Sequence, residues 1–220
     1  VKKQLLIAAT KVMGRGTGQL SLRGGKVHPR KGAAVPYGKI IRDYFGSPAG
    51  ELIGRGIYKD KKSKKAVLGS PTTFWEVGWG GAEVEVDPRT GSVQVLRIVG
   101  AHDTGTAINP KNCIEQIAGA LSFGLGFTFY EDLIRENGKT VNPSFLSYKI
   151  PTTLDMPPLE AHLVEPHFEP GPFGAKAIGE PASVPTAAAI ANAIANAIGV
   201  RIKDLPITPD KILAALKNRT

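Results

Sequence analysis

Apolar side chains recur at helical spacing in several stretches of the chain. In residues 1–13, Val1, Leu5, Ala8, Ala9 and Val12 share one face and lysines take the rest, which predicts an amphipathic helix. Gly14, Gly16 and Gly18 then end it. That glycine run leads into Leu20-Ser21-Leu22 and does not open a helix, so it lacks the N-terminus on which a phosphate-binding loop depends. Asn109-Pro110 reads as an N-cap with proline at the first helical position, followed by Ile114, Ile117, Leu121, Leu125 and Phe129 in helical register. An alanine-rich helix is predicted over 183–198, with Ser183 as its cap, Ile190, Ile194 and Ile198 in a stripe, and Gly199 as its stop. A last short helix starts at Thr208-Pro209-Asp210 and turns Ile212, Leu213 and Leu216 inward.

The period changes to two between Ala82 and Asp87, and a second apolar run follows from Ser92 to Val99. Between them, Asp87-Pro88-Arg89-Thr90-Gly91 has a proline that presets φ and a glycine able to take positive φ, so the two runs are expected to pair as a hairpin. Helices and strands without a regular β–α–β alternation point to an α+β fold of mixed helices and an antiparallel-containing sheet.

The helix from Pro110 carries Gly119, Gly124 and Gly126, each costing up to about 1 kcal/mol against alanine in a helix interior. Something must need a surface free of side chains there. Close packing of another helix and approach of a ligand both satisfy that need, and spacing alone slightly favours packing.

Composition narrows the class. The chain has 220 residues and a formal charge of +9, and about a fifth of the residues are glycine or proline, which fits a folded, loop-rich protein. The charge is uneven: residues 1–65 hold 16 basic and 3 acidic side chains (+13), residues 66–220 hold 12 and 16 (−4). The basic run from Lys59 to Lys65 has neither aromatics nor helical periodicity and reads as a solvated loop, so no nucleic acid partner is expected. Cys113 stands alone, which leaves no disulfide, no cysteine pair for zinc and no ligand set for an iron–sulfur cluster on this chain. Neither a signal-peptide pattern nor an uninterrupted membrane-length apolar run is present, and a cytoplasmic protein is expected.

Among residues able to do chemistry, Glu180 stands out. It lies between Gly179 and Pro181 on a stiff turn just before a predicted helix N-terminus, where an anion is electrostatically favoured and an ionised carboxylate could act as a general base. Capping of the following helix is the plainer alternative. His102-Asp103 is read as a strand end closed by an Asp103–Gly105 turn, and His162 and His167 have no third ligand at a recognisable spacing, so no metal is expected on side chains of this chain. Lys176 is able to contact an anion, although a solvated lysine is the commoner case.

Taken together, Ala82 to Gly91, Val99 to Asp103, Ala107-Ile108-Asn109-Pro110, Gln116-Ile117-Ala118-Gly119-Ala120 with Gly124 and Gly126, and Gly174-Ala175-Lys176-Ala177-Ile178-Gly179-Glu180-Pro181 resemble a known family. They look like the C-terminal part of the molybdopterin-binding subunit of the xanthine dehydrogenase/aldehyde oxidase family of molybdenum hydroxylases. The motifs keep the family's order over about residues 74–200. Residues 1–70 then form a basic, less distinctive lead-in, and 71–220 the signature-bearing part. The resemblance implies oxidation of an aldehyde or N-heterocycle with water-derived oxygen, in which a glutamate acts as general base on the molybdenum-bound hydroxyl. Glu180 matches that glutamate, Gln116 the glutamine that contacts molybdopterin, and Gly179 the glycine beside the metal's ligands. It also gives the glycines of the 110–130 helix a reason, since the cofactor would approach that backbone.

On the same resemblance, the molybdenum–molybdopterin cofactor is shared with upstream segments not in this sequence, and electrons pass to iron–sulfur clusters and usually FAD on partner subunits. The expected partners are therefore the upstream molybdopterin-binding part, an iron–sulfur subunit, an FAD subunit and a small-molecule substrate. Alone, the chain is expected to be inactive. It departs from the family at Ala118, where Gln-Ile-Glu-Gly is the common form. The rival readings are a non-catalytic scaffold or binding subunit with the same fold, and a nucleic-acid binder resting on the +9.

Overall fold

The computed structural model describes residues 1–47, 50–59 and 74–218, which fall into two compact units, 1–59 and 60–220. Most of the lysine run, residues 60–65, lies outside the described residues.

In the first unit, helix α1 (Lys2–Met13) ends at Gly14 as its pattern predicts, and buries Leu5, Ala8 and Ala9. Val1 is exposed and takes no part in that face. Strands β1 (Leu20–Arg23), β2 (Lys26–Pro29) and β3 (Val35–Pro36) form an antiparallel sheet in that order. Helix α2 (Tyr37–Phe45) contributes Ile40, which is buried with Leu5, Leu20 and Val27 in a small core.

In the second unit, β4 (Gly78–Val86) and β5 (Val93–Asp103) form the expected hairpin, with one bulge at Glu83/Val84. Its turn is closed by hydrogen bonds from Asp87 N–H to Ser92 O and from Gly91 N–H to Asp87 O. Gly91 has φ +73° and lies against the backbone of Pro209, so a side chain there would be both strained and crowded. Helix α3 (Pro110–Phe129) starts on Asn109, whose side-chain oxygen accepts the Asn112 N–H. Two short strands, β6 (Arg135–Glu136) and β7 (Lys139–Thr140), pair with each other. Strand β8 (Leu159–Val164) then runs parallel to β5, Ile98 opposite Leu159. Thus β5, α3 and β8 form one β–α–β crossover, a single unit in an otherwise antiparallel arrangement; β8 was not among the predicted elements, although Leu159, Ala161 and Leu163 alternate toward the core.

Helices α4 (Val184–Ile198) and α5 (Pro209–Lys217) complete the unit. Ile117, Leu121 and Leu125 of α3 and Ile190, Ile194 and Ile198 of α4 are buried together with Ile98 of β5, so the predicted apolar stripes do form the core. Mixed helices with small antiparallel and mixed sheets make this an α+β fold. Ser183 differs from its predicted role. It stands at the N-cap position of α4 but is itself helical (φ −76°, ψ −25°), and its hydroxyl donates to Glu180 O at 2.8 Å instead of capping an N–H, because a 3-10 turn over Glu180–Ser183 runs directly into α4.

Among the described residues no helix is long and apolar enough to cross a membrane.

Candidate functional site

Glu180 opens the 3-10 turn, where Pro181 is tolerated because the first turn of a helix leaves its N–H groups unpaired in any case. A proline disfavours helical backbone at the residue before it, yet the 3-10 turn opens at Glu180, so helical structure begins ahead of α4. The Glu180 side chain is exposed and makes no hydrogen bond or ion pair among the described residues, so capping does not account for it. It stands on the wall of a cavity of about 640 Å³ together with Phe123 and Phe127 of α3, Glu131, Ile150 and Met156. The lining is mostly apolar in area and includes two carboxylates, Glu131 and Glu180. Glu131 accepts the Tyr148 hydroxyl proton in a 2.5 Å hydrogen bond, which pushes the Tyr148 phenol above its ordinary value and leaves Glu131 already engaged. No signal in the sequence marked Glu131, Phe123 or Phe127; only the packing of the 150–156 segment against α3 gathers them.

Gly179, the residue before Glu180, has an extended backbone with φ 163°. A side chain on it would meet only the Gln116 amide oxygen, 3.8 Å from the added carbon. Gln116 is exposed, its amide unbonded among the described residues, and Gly119, one turn further along α3, faces open space. Gln116 and Gly179 are thus neighbours across α3 and the 3-10 turn. They do not line the cavity that Glu180 does.

The other glycines of α3 have a different cause. A side chain at Gly124 would collide with Thr186 of α4, and one at Gly126 with Glu131 and Pro151. Helix packing, the reading that spacing favoured, explains Gly124. Ligand approach remains available only for Gly119.

A second polar cluster lies at the end of β5. Asp103 closes the expected turn by accepting the Gly105 N–H at 2.9 Å, where Gly105 has φ +56° and pairs as an isolated bridge with Ala175. Lys176 is not solvated: only 11% exposed, it binds Asp103 at 2.5 Å and donates to Trp75 O at 2.9 Å. His102 is 1% exposed, and neither ring nitrogen has a hydrogen-bond partner. Burial holds its pKa below the ordinary histidine value. The buried Glu76 carboxyl, 3.7 Å from His102 Nδ1, is raised by burial and then by the Asp103 charge, with Lys176 opposing. His162 and His167 sit near Glu160 and Glu169 instead of near each other, and no group of three metal-ligating side chains occurs among the described residues.

The open glycine and unbonded amide of α3 thus lie on one side of the 3-10 turn, and the Glu180 carboxylate on the wall of a separate, mostly apolar cavity. The family model for the molybdopterin cofactor-binding domain matches residues 1–157, and the chain belongs to that family. The match includes Gln116 and stops short of Gly179 and Glu180. The chain is 38% identical over 132 residues to the xanthine dehydrogenase molybdenum-binding subunit of Escherichia coli O157:H7, which takes in 59% of this chain and 18% of that protein. Among solved structures, quinoline 2-oxidoreductase from Pseudomonas putida 86 superposes with a TM-score of 0.68 at 25% identity, covering 100% of this chain and 28% of that one. The aldehyde oxidoreductase from Desulfovibrio gigas superposes with a TM-score of 0.62 at 35% identity over 68% of this chain and 16% of its own. The chain therefore spans less than a third of each of these relatives.

The residues present fit the cofactor's chemistry. The unbonded Gln116 amide would offer a donor and an acceptor to a polar heterocycle edge, and a Gly179 side chain would have only ordinary contact with Gln116 Oε1 in its way.

Proposed function

We propose that this chain forms one wall of the active site of a molybdenum hydroxylase that oxidises an aldehyde or an N-heterocycle with oxygen derived from water, and that Glu180 is its general base. The reading is carried by a single observation: Glu180 is an exposed carboxylate, unpaired among the described residues, on the wall of an apolar cavity, one residue from the Gly179–Gln116 contact. When bound, the molybdenum cofactor supplies the oxygen transfer and takes up the two electrons released. Gln116 and Gly179 would hold its pterin side, Gln116 through its amide and Gly179 by leaving room. Phe123, Phe127, Ile150 and Met156 would exclude water around a flat, weakly polar substrate, and the Glu180 carboxylate would accept the proton given up by the water-derived hydroxyl that attacks the substrate.

The rest of the site comes from upstream segments of the same subunit type, and iron–sulfur and FAD partners carry the electrons away. The chain is active only in that assembly. The acidic majority of the chain, not its basic first third, holds the chemistry.

Glu180→Gln tests this reading in the assembled enzyme, with molybdenum content and substrate-dependent dye reduction measured side by side. A general base contributes about 10²–10⁴-fold, so dye reduction is expected to fall by that factor with molybdenum content unchanged. Normal turnover in Glu180→Gln would remove the residue from the mechanism, and preparations without molybdenum would favour a scaffold that keeps the fold.

A further inference from the structure

The segment that delivers Glu180 has little regular structure to hold it. Between Glu165 and Gly179 it contains one 3-10 turn, Pro172–Gly174, and the single bridge at Ala175. Within that turn Phe173 has φ +59°, a conformation a non-glycine residue keeps only when its surroundings impose it. A base must stand within hydrogen-bond reach of its proton, and a shift of about 1 Å costs on the order of 10²-fold in rate. Some directional contact has to fix this loop.

Lys176 is placed to supply it. Its ammonium reaches the Asp103 carboxylate and the Trp75 carbonyl, and it lies 5.9 Å and 5.4 Å from the ring centres of Phe74 and Phe168. The Lys176 N–H donates to Thr104 O at 2.9 Å, and the Thr106 N–H to Gly174 O at 2.8 Å. The other Asp103 oxygen holds the Gly105 N–H, so one carboxylate ties the end of β5 to its own turn and to the loop. Both side chains are nearly buried, at 11% and 13% exposure, where an ion pair is poorly screened and geometrically demanding. From Lys176 to Glu180 the chain is four residue steps, at most about 14 Å. Ile178 and Ala182 also pack on the core, but apolar burial has no preferred direction.

We propose that Lys176 is the positioning residue for Glu180, acting through its buried pair with Asp103, which sets where the carboxylate stands at the cavity wall. This inference rests on Glu180 being the base.

The test uses the assembled enzyme with Lys176→Met, Lys176→Arg and Lys176→Met combined with Glu180→Gln. Lys176→Met is expected to lower kcat about 10²-fold with KM within about threefold and molybdenum content unchanged. Lys176→Arg keeps the charge and is expected to recover at least tenfold of that loss. In the Glu180→Gln background, Lys176→Met should change the residual rate less than about threefold, since two residues acting through one step are not additive. Amide hydrogen exchange over 174–180 should accelerate at least tenfold in Lys176→Met while β4 and β5 keep their protection. Wild-type kcat in Lys176→Met, an undiminished 10²-fold loss in the Glu180→Gln background, or unchanged exchange over 174–180 would each overturn the proposal. If Lys176→Met does not fold, Asp103→Asn, which keeps an oxygen for Gly105 and removes the charge, is read by the same criteria. Full activity in Glu180→Gln alone strikes the base, not the clamp, and exchange over 174–180 still decides whether the pair fixes the segment.

Discussion

Helix α3 has two ends of opposite character. Toward its C-terminus, Gly124 is closed against Thr186 of α4, whose buried Cβ and methyl carbon take the space a side chain would need. Toward its N-terminus, Gly119 faces nothing, beside an amide with no partner among the described residues. Carboxylates divide in the same way: Glu76 is shut in beside His102 and Asp103, and Glu180 stands open at a cavity. The same residue types serve structure in one region and remain available for a ligand in the other. What separates them is the neighbour across the gap.

The contrast breaks most readily at Gly124. Gly124→Val should destabilise the protein by about 3 kcal/mol, because α3 and α4 cannot both keep their places, and urea denaturation measures it. A near-neutral result would show that the helices can part and that the packed end is not sealed. Gly119→Ala should instead stabilise the chain by up to about 1 kcal/mol through helix propensity alone. The same variant in the assembled enzyme sharpens the comparison, because a drop in molybdenum content would place the cofactor against that open backbone.

Last comes a change of slope. The Glu76 carboxyl titrates higher in the folded chain than in the unfolded one, so the folded state binds more protons as pH rises through the ordinary carboxylate range. Its contribution to stability is therefore greatest at low pH and is lost as pH rises from the unfolded value to the raised folded one. Glu76→Gln should remove that loss, making the protein relatively more stable at neutral pH and flattening this part of the profile. An unaltered slope in denaturation curves between acid and neutral pH would mean that Glu76 is not shut in.

Much of the fold was legible in the residues themselves. The hairpin around Asp87–Gly91, the starts of α3 and α5, and the isoleucine stripe of α4 follow from local rules of period, proline and glycine. Strand β8 was legible in principle, since Leu159, Ala161 and Leu163 alternate, but six residues before a proline-rich loop give a weak signal. The start of α4 falls directly after Ser183 as expected, but the Ser183 side chain caps no N–H because Pro181 has already begun the preceding 3-10 turn.

For the site, the sequence by itself singled out Glu180 from its place between Gly179 and Pro181, and Gln116 and Gly179 through the resemblance to a family, with no means of placing them together. Only the tertiary structure made Gln116 and Gly179 neighbours, gathered Phe123, Phe127 and Ile150 around Glu180, and turned Lys176 from an expected surface charge into the partner of Asp103. The physical reason is one of range. Period, capping and turn chemistry act over a few residues and can be read in order along the chain, whereas burial, ion pairing and the emptiness beside a glycine depend on segments far apart in the chain meeting in space.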